Sequence, residues 1–306
     1  MKQVIFNVGG ALSTYIEFDD KTLLVDIGKT DSFHPINNFL LPLYKKRDSK
    51  KNDAGLFIID QFLLSHAHND HISGINEFCE YFYPDLLTCP NDNDGMDESH
   101  KINWDLFDDN ENIEILKKLL VDRTPPLRAT SDQNEFIYYL PPNDVEGSKV
   151  LSSESYCNNI SIVVFLIVAN HRIFLTGDIQ KEGMSELIKQ NHYLRNKLKG
   201  GVDILVAPHH GLKSSFSVDL FDAMKGNKTR CLNVISEKVS TDERRVVDTR
   251  YSSSDFCSGN NNLSKDDEIV CQIKTSRGHV FIDYSNNNQP EIEIITDDDV
   301  LIERFL

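Results

Sequence analysis

The chain lacks a Cys-x-x-Cys pair, an apolar run long enough to cross a bilayer, an internal repeat, and enough basic residues to balance its acidic ones. The six cysteines (79, 89, 157, 231, 257, 271) stand apart, which predicts reduced thiols of a cytosolic protein rather than a disulfide frame. The longest apolar run, Ile160 to Ala169, is about half of the roughly 20 residues that span a membrane. The opening Met1-Lys2-Gln3-Val4-Ile5-Phe6-Asn7 has too short an apolar stretch for a signal peptide. The expectation is a cytoplasmic protein with no membrane partner. With 32 basic against 48 acidic residues the net charge is −16, which opposes non-specific adhesion to nucleic acid. A polyanionic substrate would have to be drawn by a local field or by a metal. The absence of a repeat at solenoid spacing excludes stacked-repeat architectures.

What is present is ordinary for a globular chain with a sizeable core: 306 residues, 40% hydrophobic and 26% charged. Thr14 to Phe18 and Thr22 to Asp26 read as a hairpin around Asp19-Asp20-Lys21. A basic loop, residues 44–53, precedes a strand from Leu56 to Leu64, and Ile72, Ile75 and Phe78 then fall on one helical face. Residues 91–112 are acidic and Asn-rich and read as a solvated insertion. Asp92-Asn93-Asp94-Gly95 lacks the other ligands of a calcium loop. A second β-rich half starts near Phe136, with strands at Ile160–Ala169, Arg172–Thr176, Ile204–Ala207, Val280–Tyr284 and Ile292–Ile295. Residues 236–267 read as a mobile loop. Two β-rich halves with helical patterns are compatible with two sheets packed face to face and helices outside.

The most informative stretch is Ser65-His66-Ala67-His68-Asn69-Asp70-His71, directly after Phe62-Leu63-Leu64. It places four metal-binding side chains within six residues at the end of a strand, and imidazole with carboxylate suits zinc or a similar divalent ion. Three further ligands end apolar strands in the same way: Asp26 in Leu24-Val25-Asp26-Ile27-Gly28, Asp178 in Thr176-Gly177-Asp178, and His209 in Pro208-His209-His210-Gly211. Such a pattern fits a site built where strand ends converge.

With Asn7-Val8-Gly9-Gly10, Cys157-Asn158-Asn159-Ile160-Ser161 and Leu212-Lys213-Ser214-Ser215 added, the whole resembles the metallo-β-lactamase superfamily. Within it the chain is most similar to the hydrolase domain of the DNA-uptake protein ComEC and its stand-alone relatives, from about residue 3 to about residue 285. The resemblance implies an α/β fold, an αββα four-layer sandwich forming a single domain over 1–306 with the two insertions. It implies two divalent ions, zinc first and manganese as the other candidate. His66 and His68 would bind one; Asp70, His71 and His209 the second; Asp178 would bridge them. Asp26 would orient a ligand histidine from behind, with Asn158 in a like supporting place. Asn158-Asn159 replaces a further histidine of many relatives, and asparagine is a poor zinc ligand, so the first site would be weak. Asn7 and Leu12 stand where relatives usually carry aspartates. A late Tyr-Gly-His-Pro stretch is missing, with Tyr251 and His279 as candidate substitutes.

The function so implied is a phosphodiesterase or nuclease acting on DNA or RNA, through a hydroxide held between metals. Asp70 would hold the nucleophile, while His210, Lys213, Ser214, Ser215 and Asn159 would bind the phosphate and His210 and Lys213 assist catalysis. The basic loop at 45–51 with Arg244, Arg245 and Arg250 could guide a polyanion, although solvated surface is the commoner role of such groups. His34, His100, His171 and His192 read as surface residues, and nothing marks Cys157 as a nucleophile. Two other readings stay open. One is a lactone or thioester hydrolase using the same metals; the other is a hydrolase subunit active only with a protein partner, of a kind that would suit a defence system.

Overall fold

The computed structural model describes residues 1–19, 21–90, 97, 100–108, 110–121, 135–151, 155–168, 170–224, 231–237, 246–257, 270–286 and 288–306. Strands β1 (Lys2–Ile5), β2 (Ser13–Glu17) and β3 (Thr22–Ile27) open the chain. A helical passage over Pro35–Leu40 runs into α1 (Leu41–Lys46), and β4 (Phe57–Leu63) follows. The histidine motif winds into the short α2 (Asn69–Ile72), and α3 (Ile75–Tyr81), β5 (Phe82–Thr88) and α4 (Glu111–Val121) complete this half. The second half holds β6 (Glu135–Tyr138), α5 (Pro142–Glu146), α6 (Tyr156–Asn159), β7 (Val163–Val168) and β8 (His171–Leu175). It continues with α7 (Lys181–Gln190), α8 (His192–Leu198), β9 (Ile204–Val206), α9 (Val218–Met224) and β10 (Leu232–Ile235). β11 (Gln272–Lys274), β12 (His279–Asp283), β13 (Glu291–Ile295) and α10 (Asp298–Glu303) close it.

Two mixed sheets result, ordered β13-β12-β1-β2-β3-β4-β5 and β11-β10-β9-β8-β7-β6. Alternation along the strands explains the layering. Leu23 and Val25 of β3 and Leu63 of β4 join Val164, Leu166, Ile173, Leu175, Val206 and Val234 in one buried cluster between the sheets. Their neighbours Leu24, Phe62, Phe165, Phe174 and Leu205 belong to a second cluster with helix residues such as Ile75, Phe78, Met184, Leu187 and Leu220. Strands covered on both faces read as continuous apolar runs, which is why Leu23-Leu24-Val25 and Ile204-Leu205-Val206 carry no polar alternation. Each such side chain contributes about 1.5–3 kcal/mol on burial. The result is the four-layer α/β sandwich expected from the sequence.

Parallel pairing places the site. β3 runs parallel to β4 in one sheet, and β8, β9 and β10 run parallel in the other. Their carboxyl ends therefore share one rim, where loops carry ligands in such sheets. Ile162 N donates to Ser65 O at 2.9 Å, tying the two sheets at this rim, and His209 N donates to Gly177 O at 3.1 Å, joining the loops after β8 and β9. Gly177, at φ +51°, leaves room that a Cβ would fill, 2.8 Å from Ser65 Cβ.

Several expectations are corrected. The stretch at 91–112 is not all solvated: Ile102 and Phe107 are buried, and the Phe107 ring lies 5.8 Å from that of His68. Residues 92–95 fall outside the described residues. Within 236–267, Val247, Tyr251 and Cys257 are buried in the core, because the Asn233 amide donates to Tyr251 O and a turn over Thr249–Ser252 packs Tyr251 on Phe216. Cys257 and Cys271 form a disulfide with Cα atoms 5.7 Å apart. The pairing is three-dimensional, since β11 brings Cys271 alongside. His171 is buried, not on the surface, with Nε2 2.7 Å from Asn286 O. Among the described residues no helix is long and apolar enough to cross a membrane.

Candidate metal centre

Ligand atoms of Asp70, His71, Asp178 and His210 all lie within 4.8 Å of one another. Each arrives from a different piece of the rim: Asp70 and His71 from α2 after β4, Asp178 from the loop after β8, His210 from the turn after β9. His71 Nε2 is 3.3 Å from Asp178 Oδ1, and His210 Nε2 is 3.4 Å from Asp70 Oδ2 and 3.6 Å from Asp178 Oδ2. These two imidazole nitrogens are buried and have no hydrogen-bond partner among the described residues. Buried polar atoms are otherwise almost always satisfied, so two unpartnered nitrogens aimed at two carboxylates are what a cation-binding cavity requires. Asp178 turns one oxygen to His71 and the other to His209 and His210, as a bridging carboxylate must. The donor set fits a divalent ion.

His66 and His68 form the adjoining pair. His66 Nε2 is 2.9 Å from His68 Nδ1, and the His66 ring is 4.1 Å from that of His71. Asn158 Oδ1, nearby in sequence to the Cys157 thiol that donates to Leu106 O, is buried with no partner among the described residues. Burial pushes that thiol up to about 11, which keeps it protonated and inert at neutral pH.

Asp26 stands behind the cluster. It is fully buried; Oδ1 accepts from Ser65 N at 2.7 Å, and Oδ2 receives Ser65 Oγ and His71 Nδ1, each at 2.8 Å. That contact fixes the ring so that Nε2 faces the centre. Burial alone would lower the His71 pKa, but Asp178 and Asp26 overcome it and hold the group well above the ordinary imidazole value. Burial likewise opposes charge on Asp178, yet His71 and His210 keep its carboxyl well below the usual range. At His66 burial, with His71 and His68 beside it, outweighs the opposing pull of Asp178 and drives the group well below the ordinary value. The centre is electrostatically divided between a charged half and a neutral pair of imidazoles.

The adjacent histidines part company. Both sit in the left-handed region, His209 at φ 47° and His210 at φ 57°, a conformation rare outside glycine and often found at functional sites. The turn sends His210 into the cluster, braced through Nδ1 by Ser236 O at 3.1 Å. His209 stays more open, with Nε2 3.9 Å from Asp178 Oδ2 and Nδ1 3.4 Å from Ser214 Oγ. Nothing in the dipeptide itself tells the two roles apart.

Of the phosphate-binding candidates, Lys213 and Ser214 are exposed at this rim. Ser215 is buried and its hydroxyl donates to Pro208 O and Leu212 O, bracing the turn from inside. Asn159 is fully buried with Oδ1 accepting from Gln180 N at 3.0 Å, beneath the start of α7. Both are therefore placed to hold the loops rather than to touch substrate. Tyr251 is a core aromatic, and His279 has Nδ1 accepting from Asn7 N and Nε2 3.4 Å from Asp298. Neither stands among the clustered ligands. Arg47 is bound to Glu17 by two hydrogen bonds, so the basic loop is partly internal structure. Arg244 and Arg245 lie outside the described residues.

Residues 6–148 match the family model described as the metallo-β-lactamase superfamily. None of the curated proteins compared matches the chain. Among solved structures it is similar to Tm1679, described as a metal-dependent hydrolase of the β-lactamase superfamily (14% identity, 79% of this chain and 90% of that one, TM-score 0.42). YhfI from Bacillus subtilis, a metallo-β-lactamase fold protein, gives 14% identity over 77% and 86%, with a TM-score of 0.36. The short form of human tRNase Z gives 11% over 77% and 92%, also at 0.36. The matched residues 6–148 hold Asp26 and the whole His66–His71 motif. The part of the chain that matches the metallo-β-lactamase superfamily model thus carries the histidine motif, and the second sheet brings Asp178 and His210 to the same rim.

Proposed function

We propose that this chain is a metal-dependent hydrolase, a phosphodiesterase whose substrate is DNA or RNA. The observation that carries the reading is the juxtaposition of the Asp70, His71, Asp178 and His210 cluster with the exposed Lys213 and Ser214 on one turn of chain. Asp70, His71, Asp178 and His210 would hold one divalent ion and His66 with His68 the other, Asp178 serving both. Bound there, such ions supply Lewis-acid polarisation and acidify water towards neutrality. The chain's own residues then do the rest. Lys213 neutralises phosphate oxygens arriving at the rim, and Ser214 offers them a hydroxyl. Asp26 and Ser65 keep His71 oriented, and Ser236 does the same for His210. Phe107, packed against His68, limits water on that side. The cavity adjoining this rim carries Lys181, Lys213 and Arg250, cations that a phosphodiester can use and a neutral acyl substrate cannot.

The test is hydrolysis of bis(p-nitrophenyl) phosphate, plasmid and single-stranded DNA with zinc or manganese, comparing wild type with Asp70→Ala. Loss of a ligand carboxylate should cost on the order of 10³-fold in rate. A folded, metal-loaded wild type inert on all three substrates would overturn the reading and favour acyl substrates or a missing partner.

A further inference from the structure

Beside the centre, α7, α9 and residues 213–217 enclose a groove of ≈ 910 Å³, near the upper end of the range for ligand sites. It is continuous with the rim. Lys181 N donates to Ser214 O at 3.1 Å, and Ser214 Oγ lies 3.4 Å from His209 Nδ1. Lys181 is three residues beyond Asp178 and Lys213 three beyond His210. A chain bound at the metal centre therefore meets this groove next.

The charges along it are not equally engaged. Lys181 pairs with Glu182 at 3.4 Å and Lys189 with Glu186 at 3.2 Å, so those four largely cancel. Asp219 and Asp222 line the α9 wall and confine phosphate contacts to the other walls. Arg195 donates to the Lys189 carbonyl at 2.8 Å. Among the described residues neither Arg195 nor Lys213 has a carboxylate within ion-pair distance. Asp219 and Asp222 match Arg195 and Lys213 in number, and Lys213 also acts on the Asp248 carboxylate. In a chain of net charge −16 this groove is thus close to neutral, and Arg195 and Lys213 offer phosphate contacts on the walls away from α9. Arg250 plays a different part. Asp248 grips its fork through Nε at 3.0 Å and Nη2 at 2.7 Å, and the guanidinium lies over the Phe216 ring at 3.9 Å from its centroid. Its charge is answered, its plane is fixed, and its outer face borders the groove. A rigid, flat, cationic surface is a stacking platform for a nucleobase.

We propose that this groove binds the single-stranded nucleic acid adjoining the scissile phosphodiester, with Lys213 and Arg195 receiving phosphates and the Arg250–Phe216 pair receiving a base. The inference rests on the phosphodiesterase reading and extends it to a polymer track. The test uses the full chain and a short fluorescent deoxythymidine oligomer, whose binding is followed by anisotropy with chelator present, so that turnover plays no part. Arg195→Glu and Arg250→Ala should each weaken binding roughly tenfold while leaving hydrolysis of bis(p-nitrophenyl) phosphate with added metal unchanged. Arg250→Lys, which keeps the charge but not the plane, should weaken it nearly as much, and serves if the alanine variant does not fold. Wild-type protein that fails to bind the oligomer, or variants that bind it as wild type does, would overturn the groove. Binding that weakens as expected in a protein inert on every diester would keep the groove and overturn the phosphodiesterase reading instead.

Discussion

At the residue scale the centre depends on side chains whose directions are set by backbone geometry rather than by residue type. His209 and His210 carry the same imidazole, yet consecutive left-handed residues send only one of them to within 3.6 Å of both Asp70 and Asp178. His210→Gln should therefore lower metal affinity by at least about tenfold, the smaller end of what loss of a supporting contact costs. His209→Gln should leave affinity closer to wild type, because that ring reaches only one carboxylate, at 3.9 Å. Competition with a chromophoric chelator measures both. Equal losses would mean that the bound ion draws His209 in as well. The sequence marks this turn as a candidate source of a ligand, since two histidines follow an apolar strand and precede a glycine. It did not show which, because that depends on the φ of two residues for which the left-handed region is unusual. Ser215 and Asn159 read as phosphate ligands from sequence but are buried in bracing contacts, because a polar residue near a site can equally well hold the loop that makes the site.

At the scale of elements, close backbone approach decides how the ligand helix sits. A Cβ at Gly28 would stand 2.1 Å from Asp70 O and 2.6 Å from Ala11 Cβ, where the Asp70 carbonyl also accepts from Leu12 N. Gly28→Ala must displace α2. It should cost about 3 kcal/mol, the severe end of overpacking, and weaken metal binding together with stability; urea midpoints with and without metal test the pairing. A second contact fastens the start of α3. Glu77 accepts from Lys29 and lies 3.0 Å from His34 Nε2. Burial pushes the Glu77 carboxyl up, but the Lys29 hydrogen bond, a backbone N–H and His34 outweigh it and hold the carboxyl below its ordinary value. A depressed carboxylate stabilises the fold above its unfolded pKa, roughly 4.3, and loses that contribution as pH falls through the folded value. Glu77→Gln should thus be less stable than wild type at neutral pH, and the gap should close in acid; a gap constant with pH would mean that shape, not charge, matters there. The elements of the site were legible because β3, β4, β8 and β9 are apolar runs ending in a polar ligand. The buried part of the insertion was not, since Ile102 and Phe107 follow no helix or strand period and are fixed by the neighbours they meet.

For the whole molecule the governing fact is a net charge of −16 set against a nearly neutral groove in which, among the described residues, Arg195 and Lys213 have no carboxylate at ion-pair distance. The two-sheet plan could be read from two β-rich halves, but the return of β12 onto β1 and the Cys257–Cys271 link could not, because both join residues brought together only by the finished topology. The same topology places Lys213, Arg195 and the Arg250 platform beside the metal rim, where they locally offset the acidic excess of the chain. Binding of a single strand should then release few counterions. With about two phosphates neutralised, the slope of log K against log salt should be near −1.4, and stacking on Arg250 and Phe216 should persist at high salt because it is little screened. Anisotropy titrations of the same deoxythymidine oligomer at several salt concentrations give the slope directly. Arg195→Glu should flatten it by removing one phosphate contact, whereas Arg250→Lys should lower affinity at every salt concentration and leave the slope in place. A slope much steeper than this would place the strand on cations outside the groove, and the division between charge at Lys213 and Arg195 and stacking at Arg250 would fail with it.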